Sequence, residues 1–384
     1  MNILVIAHYQ GDGSPTASFI HDQVKAYRAL GHAVMVISPI ALGKKGFASH
    51  SYTKGGREEI DHIPHYYLRY LSLSNYGKKR FNTNSAISTL KRKFSVALGN
   101  FRPDIVHAHT LGFDSEIGKW LKQKLGVPLV VTTHGSDTFL PFANGQLTQL
   151  KQYTSNVDTV VCVSALLKKR LTECGTATRM QVILNGFNIQ HADCSKKKDP
   201  FSIVQVGYLI ERKKVDTTIR ALNLLQKKYP ESSLKVIGSG KELDKLQNLC
   251  KELNIEDSVH FLGFRPNPEA LSEMATSAFF VMPSVNEGFG IVYLEAMANG
   301  CITIGTQGEG ISDLIVSGEN GFLVPPDDPG AIVQKIEWCL DHPNEATEIA
   351  QKGRQDAEEL TWVKNAKQYL HLFQTLLERG GQSK

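Results

Sequence analysis

Residues 282–300 read MPSVNEGFGIVYLEAMANG, directly after the apolar run AFFV at 278–281. A run this short, rich in aromatic side chains and closed by proline, is a buried β-strand. The residues Asn286 to Gly290 form the turn after its carboxyl end, and the helix starts near Phe289 or Gly290. Strand, turn and helix in this order are half of a βαβ unit, which implies a parallel sheet. Two acids flank the helix start. Glu287 lies before it, and Glu295, eight positions on, lies in its second turn. Gly288 and Gly290 let the backbone approach a ligand closely, and a helix N-terminus with free amides favours an anion such as a diphosphate.

The same alternation extends through the chain. NILVIAH (2–8), SFIHDQVKAYRALG (18–31), AVMVISP (33–39), DIVHAHT (104–110), SEIGKWLKQKLG (115–126), PLVVTTHG (128–135) and TVVCVS (159–164) alternate strand and helix patterns. Gly31 and Gly126 fall where helix C-caps belong. A second series starts at FSIVQVG (201–207), continues with a helix over 215–230 stopped by Pro230, and adds the strands SLKVIGSG, VHFLGF, AFFVMPS, CITIGT and GFLVPP. HADCSKKKDP (191–200) is polar and basic, as a linker would be. The expected fold is α/β, with two Rossmann-like doubly wound domains facing across a cleft. The boundaries expected are 1–188, a linker at 189–200, 201–360, and a C-terminal helix at 361–384 that packs back on the first domain. Ligands of open α/β sheets bind beyond the carboxyl ends of the strands. His8 to Gly13, His107 to Thr110, His134 to Asp137, Gly207 to Lys214, Gly238 to Gly240 and Asn286 to Gly290 all follow strands.

Composition narrows the classes. A chain of 384 residues suits two cores better than one. Net charge is +5 and the isoelectric point 8.7. That is too weak to imply nucleic acid, and it suits anionic substrates or lipid surfaces. The six cysteines, Cys162, Cys174, Cys194, Cys250, Cys301 and Cys339, form no CxxC pair and read as reduced thiols. MNILVIAHYQ lacks a basic leader region, and no apolar stretch is long enough to span a bilayer. A cytoplasmic protein is expected. No histidine and carboxylate set has metal-ligand spacing, so no metal is expected and side-chain cations must neutralise any bound diphosphate.

PSVNEGFGIVYLEAMANG resembles the E-x7-E motif of retaining glycosyltransferase family 4, whose members have the GT-B fold. VGYLIERKKVDTTIRAL (206–222), VIGSGKELDKLQ (236–247), FLGF, GEGISDLIVSGENGFLVPPDDP (308–329), THGSD (133–137) and VILNGFN (182–188) follow that family's order. The resemblance implies a donor site made of Gly13, Gly207, Tyr208, Arg212, Lys213, Gly238, Arg265, Glu287, Gly288, Phe289, Gly290 and Glu295. Glu287 would contact hydroxyls of the donor sugar, Glu295 the ribose, and Lys213 the diphosphate. The family usually places arginine where this chain has Tyr208, which brings no charge. Arg212, beside Lys213, is the candidate substitute. Base recognition is expected around Gly263 to Arg265.

His134 would lie near the reacting centre, which gives Glu287, Lys213 and His134 as the catalytic candidates. On the acceptor side stand Asp12, His109 and Asp137. Of His107 and His109 only one is expected to point into the cleft, because strand side chains alternate, and His109 is preferred. Gly11 and Gly13 in QGDGSPTASFIHDQV (10–24) would border the donor phosphates. Between Asp61 and Asp104 there is no acid, and Arg69, Lys78, Lys79, Arg80, Lys91, Arg92, Lys93 and Arg102 interleave with Tyr66, Tyr67, Tyr70, Tyr76, Phe81 and Phe94. Such a stretch suits an anionic membrane surface.

The expectation is a retaining, metal-independent glycosyltransferase. It would move a sugar from a nucleotide-diphosphate sugar to a glycan or lipid-linked acceptor, in cell-surface polysaccharide or glycolipid synthesis. The donor expected is a UDP-sugar, with a GDP-sugar as alternative. No cofactor is required, and nucleic acid is not a partner. The protein would sit at the inner face of the membrane, if on a membrane at all. A sugar-nucleotide epimerase or hydrolase and a weakly catalytic nucleotide-sugar-binding protein stay open as alternatives.

Overall fold

A computed structural model describes residues 1–8, 18–42, 56–73, 79–190, 192 and 197–382. Asp12, Gly13, Gly11, Tyr76 and Lys78 lie outside them. The chain divides into two units, Met1–Gly186 with Trp362–Lys384, and Phe187–Thr361.

The first unit is built on the parallel strands β1 (Asn2–Ile6) and β2 (Ala33–Leu42), with α1 (Ser18–Ala29) between them. A hairpin of β3 (Gly56–Ile60) and β4 (Ile63–Leu71) follows, then α2 (Lys79–Arg92) and α3 (Phe94–Leu98). Next come β5 (Ile105–His109), α4 (Phe113–Leu125), β6 (Leu129–Thr133), α5 (Ser136–Ala143), α6 (Leu147–Thr154), β7 (Thr159–Cys162), α7 (Ala165–Glu173) and β8 (Met180–Val182). The described strands order as β3-β4-β2-β1-β5-β6-β7-β8, with β3 alone antiparallel to its neighbour. Ile3 to Ile6, Ile105, Val106, and Leu129 to Val131 are fully buried, because helices cover both sheet faces. Gly31 and Gly126 end α1 and α4 in the left-handed conformation.

The second unit runs β9 (Asp199–Val206), α8 (Val215–Leu225), β10 (Ser233–Ile237), α9 (Leu243–Leu253), β11 (Val259–Gly263), α10 (Asn267–Thr276), β12 (Ser277–Val281), α11 (Ile291–Ala298), β13 (Ile302–Thr306), β14 (Phe322–Val324), α12 (Pro329–Asp341) and α13 (Pro343–Glu358). All neighbours in its sheet are parallel, in the order β11-β10-β9-β12-β13-β14. Numbered within the unit this is 3-2-1-4-5-6, the dinucleotide-fold order, and its switch point lies between β9 and β12.

Two local expectations change. The strand β9 starts at Asp199, inside the segment expected to be linker. The helix α8 ends at Leu225 rather than running to Pro230, since Lys227 N bonds the Leu224 carbonyl at 3.3 Å and tightens the chain into a turn. The helix α14 (Trp362–Gln382) lies in the first unit, where Gln23 Nε2 donates to Asn365 Oδ1 at 2.7 Å and the Tyr369 hydroxyl meets Thr132 Oγ1 at 3.0 Å.

Candidate active site

At the switch point of the second unit, Gly207 leaves β9 and the chain makes a 3-10 turn over Glu211–Lys213. Gln205 Nε2 donates to the Lys213 carbonyl at 2.8 Å and Val285 N donates to the Arg212 carbonyl at 2.8 Å. These bonds join the turn to the segment that follows β12. Lys213 is only 8% exposed. Its Nζ donates to Glu287 Oε2 at 2.5 Å, and Arg212 Nη1 donates to the same oxygen at 3.0 Å. Burial pushes the Glu287 carboxyl up, but Lys213 and then Arg212 pull it further down, so it stays ionised below the usual carboxylate range. Two cations thus converge on one carboxylate oxygen, and an anion entering here meets two charged donors.

Helix α11 begins beside this cluster. Its N-cap, Gly290, has φ +85° and supplies no capping side chain, and among the described residues no side chain takes up the leading amides. The Tyr293 hydroxyl donates to the Met282 carbonyl at 2.5 Å and meets Ser284 Oγ at 3.0 Å, which locks α11 to the end of β12. Phe289, expected on the donor, has a side chain buried at 1% exposure, so only its backbone can serve. Glu287 N donates to Glu309 Oε2 at 2.9 Å. Glu309 was not singled out in the sequence, although it follows β13 and so obeys the strand-end rule.

Gly238 sits against Gly207. A Cβ at Gly238 would lie 1.9 Å from the Gly207 carbonyl oxygen. Gly207 N bonds the Ile237 carbonyl at 2.9 Å and Gly238 N bonds the Gly263 carbonyl at 2.8 Å, which laces the ends of β9, β10 and β11 together. Tyr208 points to solvent at 57% exposure and Phe264 at 66%.

Glu295 accepts from Asn267 Nδ2 at 2.8 Å. Burial pushes its carboxyl up, against the pull of that hydrogen bond. Asn267 was missed because its sole signal is its place at the start of α10, shortly after β11. Arg265 pairs with Glu269 at 3.2 Å on the surface, four residues along.

In the first unit the expectation about two histidines is overturned. Residues 107 and 109 are two apart on β5, so strand alternation puts them on the same face. Their rings lie 4.3 Å apart, and both are buried. His109 Nδ1 is 3.0 Å from His134 Nε2, and those two rings stack at 7°. His107 Nε2 is 2.8 Å from Thr132 Oγ1. Burial holds His107 down at about 3 and His134 at about 4, and it lowers His109 as well. All three are neutral imidazoles at pH 7. Asp137, expected toward an acceptor, instead accepts from the amides of His134 at 3.1 Å, Gly135 at 2.9 Å and Leu111 at 2.7 Å. It braces two loops. Thr110, in the loop after β5, has φ +78° and donates to Asp114 Oδ2 at 2.9 Å. His8 Nδ1 stands 2.9 Å from Asp114 Oδ1.

The histidine cluster makes stability depend on pH. Folded values lie below the unfolded value of about 6.5. The unfolded chain therefore takes up protons first, and stability is full above pH 6.5 and falls as pH drops toward 4. At about 1.4 kcal/mol per pK unit, His134 alone contributes about 3 kcal/mol to that loss. Urea midpoints measured between pH 7 and pH 4.5 should fall, and less steeply in His107→Gln. An unchanged slope in that variant would remove the cluster as the cause.

The aromatic interleaving expected at the surface over 66–102 is largely core. Tyr66, Tyr67 and Tyr70 are buried. Both faces of β4 are covered, so alternate tyrosines cannot emerge. Lys91, Arg92 and Lys93 are exposed, as are Phe81 at 45% and Val96 at 61%. The five described cysteines are buried and free. Among the described residues no helix is long and apolar enough to cross a membrane.

Comparison with known proteins agrees with this architecture. Residues 16–191 match the model for Glycosyltransferase Family 4, and residues 187–356 match that for glycosyl transferases group 1. An uncharacterized glycosyltransferase of Methanocaldococcus jannaschii is 29% identical over 262 residues, which are 68% of this chain and 72% of that protein. The sucrose-phosphate synthase structure from Thermosynechococcus elongatus superposes with a TM-score of 0.80 at 20% identity, covering 99% of this chain and all (100%) of that one. Anabaena HepE, solved with UDP and glucose, gives 0.73 at 20% identity, covering 98% of this chain and 100% of that one. With a family 4 domain followed by a group 1 domain on this fold, the chain is a glycosyltransferase of GT-B architecture.

Proposed function

We propose that the protein is a retaining, metal-independent transferase that uses a UDP-sugar donor, with a GDP-sugar as the alternative. The observation that carries this reading is the convergence of Lys213 and Arg212 on Glu287 beside the uncapped start of α11. A diphosphate would take the two cations and the amides at Gly290 and beyond. Glu287 would then be released to accept from sugar hydroxyls. Glu295, presented by Asn267, would accept from the ribose diol. The bond from the anomeric carbon to the diphosphate breaks as the acceptor hydroxyl bonds that carbon on the same face, and the acceptor's proton passes to the departing phosphate. Lys213 and the helix amides stabilise the charge that develops there. Among the described residues no carboxylate stands as an evident nucleophile. Neutral His134 would donate to a hydroxyl of the sugar. That Anabaena HepE was solved with UDP and glucose supports the choice of uridine.

The acceptor proposed is a glycan or a lipid-linked saccharide bound by the first unit, in cell-surface polysaccharide or glycolipid synthesis. The exposed cations at 91–93 support peripheral attachment to an anionic cytoplasmic membrane face.

The test is calorimetric binding and thermal shift with a panel of nucleoside diphosphates and sugar nucleotides, on wild type and Glu295→Ala. One nucleotide should bind selectively, and the substitution should weaken it by about tenfold or more, the loss of hydrogen bonds to a charged group. If no member of the panel binds, the donor site is misassigned.

A further inference from the structure

Away from the switch point of the first unit, a cavity of about 320 Å³ opens between the β3–β4 hairpin and helices α2 and α3, lined by Gly56, Tyr66, Tyr67, Arg69, Thr89, Lys93 and Val96. Two of these residues are cations, Arg69 and Lys93, and none is an acid. A third cation, Arg57, closes the adjoining edge, where its Nε donates to the Val96 carbonyl at 3.0 Å and its Nη2 to the Ala97 carbonyl at 3.3 Å. The chain supplies no acid anywhere between Asp61 and Asp104.

The geometry points to a binding site for an organic phosphate in this cavity, distinct from the donor site and not dependent on the transferase reading. An arginine fork suits two phosphate oxygens at once, and a lysine adds a mobile point charge. Tyr66 and Tyr67, which are buried, stand among the cavity's lining residues and limit water there, which strengthens both attractions. The volume lies at the small end of ligand pockets. It suits a phosphate joined to a short polyol and is too small for a nucleotide sugar. Val96 stands 61% exposed at the rim, so a ligand with an apolar tail meets an apolar contact there. The chemistry is that of a glycerophosphate, supplied by a soluble ester or by the headgroup of a membrane lipid.

The two sources are separated by probe. Calorimetry with sn-glycerol 3-phosphate tests the soluble source. Sedimentation with phosphatidylglycerol–phosphatidylcholine vesicles, against phosphatidylcholine alone, tests the lipid. Arg69→Gln with Lys93→Gln removes the cavity's charge. Thr89→Phe fills the cavity and keeps the charge. Lys91→Gln with Arg92→Gln removes equal charge from the neighbouring exposed surface. Saturable binding of glycerol 3-phosphate, lost in the first two variants and within about twofold of wild type in the third, supports a soluble ligand. Vesicle binding weakened about tenfold by Thr89→Phe, with no binding of the soluble ester, supports the headgroup. Vesicle binding indifferent to Thr89→Phe, or no binding of either probe, overturns the site. Nucleotide binding should be unchanged in all three variants, so failure of this site and failure of the donor reading are told apart.

Discussion

Lys213→Met is expected to lower kcat by about 100-fold to 1,000-fold, the usual loss when one preorganised charge at a departing group is removed. Methionine keeps an unbranched apolar stem and removes the ammonium, whose Nζ donates to Met282 Sδ at 3.6 Å, so the change is mainly one of charge. Two effects follow together. The departing diphosphate loses its buried counter-charge, and of the described cations Glu287 keeps Arg212, whose side chain is 42% exposed. The Glu287 carboxyl should rise accordingly, because Lys213 is the largest influence opposing its burial. Removing one member of a buried pair costs about 3–5 kcal/mol, and the remaining arginine should keep this loss toward the lower end. Arg212→Met should cost less in rate, about tenfold, since solvent screens an exposed charge. Steady-state rates at saturating donor, with the folded fraction checked by thermal melting, separate catalysis from stability. If Lys213→Met kept more than a tenth of wild-type kcat, the assignment of Lys213 to the departing phosphate would be lost.

Gly238→Ala is expected to be the most damaging small substitution in the second unit. The added Cβ would meet the Gly207 carbonyl oxygen at 1.9 Å, and the backbone at Gly238 has φ +140°. Relief requires β9 and β10 to part at the ends that carry the turn holding Lys213. Strain and clash together should cost about 3 kcal/mol or more. For a unit of this size that is a fall in Tm of about 10 °C. Gly308→Ala is the control. It has φ +79° but nothing within 4 Å of its Cβ, so it carries backbone strain alone and should cost about 1 kcal/mol. Equal melting shifts for the two variants would show that the close approach of Gly207 is unimportant.

Much of the fold was legible because its causes are local. Runs such as ILVI and AFFV are apolar on both faces, and only a strand covered on two sides suits that pattern. Gly31 and Gly126 end helices because a left-handed residue is needed there. The loop from Asn286 to Gly290 was legible for the same reason. The reading of His107 and His109 failed on parity, since residues two apart share a face. The tyrosines of β4 looked like surface residues because spacing cannot tell whether a second layer covers a strand.

Alone, the amino-acid sequence determined the two series of βα units, the place of Glu287 before a helix and Glu295 within it, and the cations after β9. These depend on propensities and periodicities over a few neighbouring residues. Tertiary structure decided which of these groups meet. Lys213 and Glu287 lie 74 residues apart, Asn267 and Glu295 lie 28, and His109 and His134 lie 25. Strand order and register bring the first and third pairs together, with β9 beside β12 and β5 beside β6, and the packing of α10 against α11 brings the second. Register is settled by packing of the whole sheet, and no local stretch of sequence encodes it.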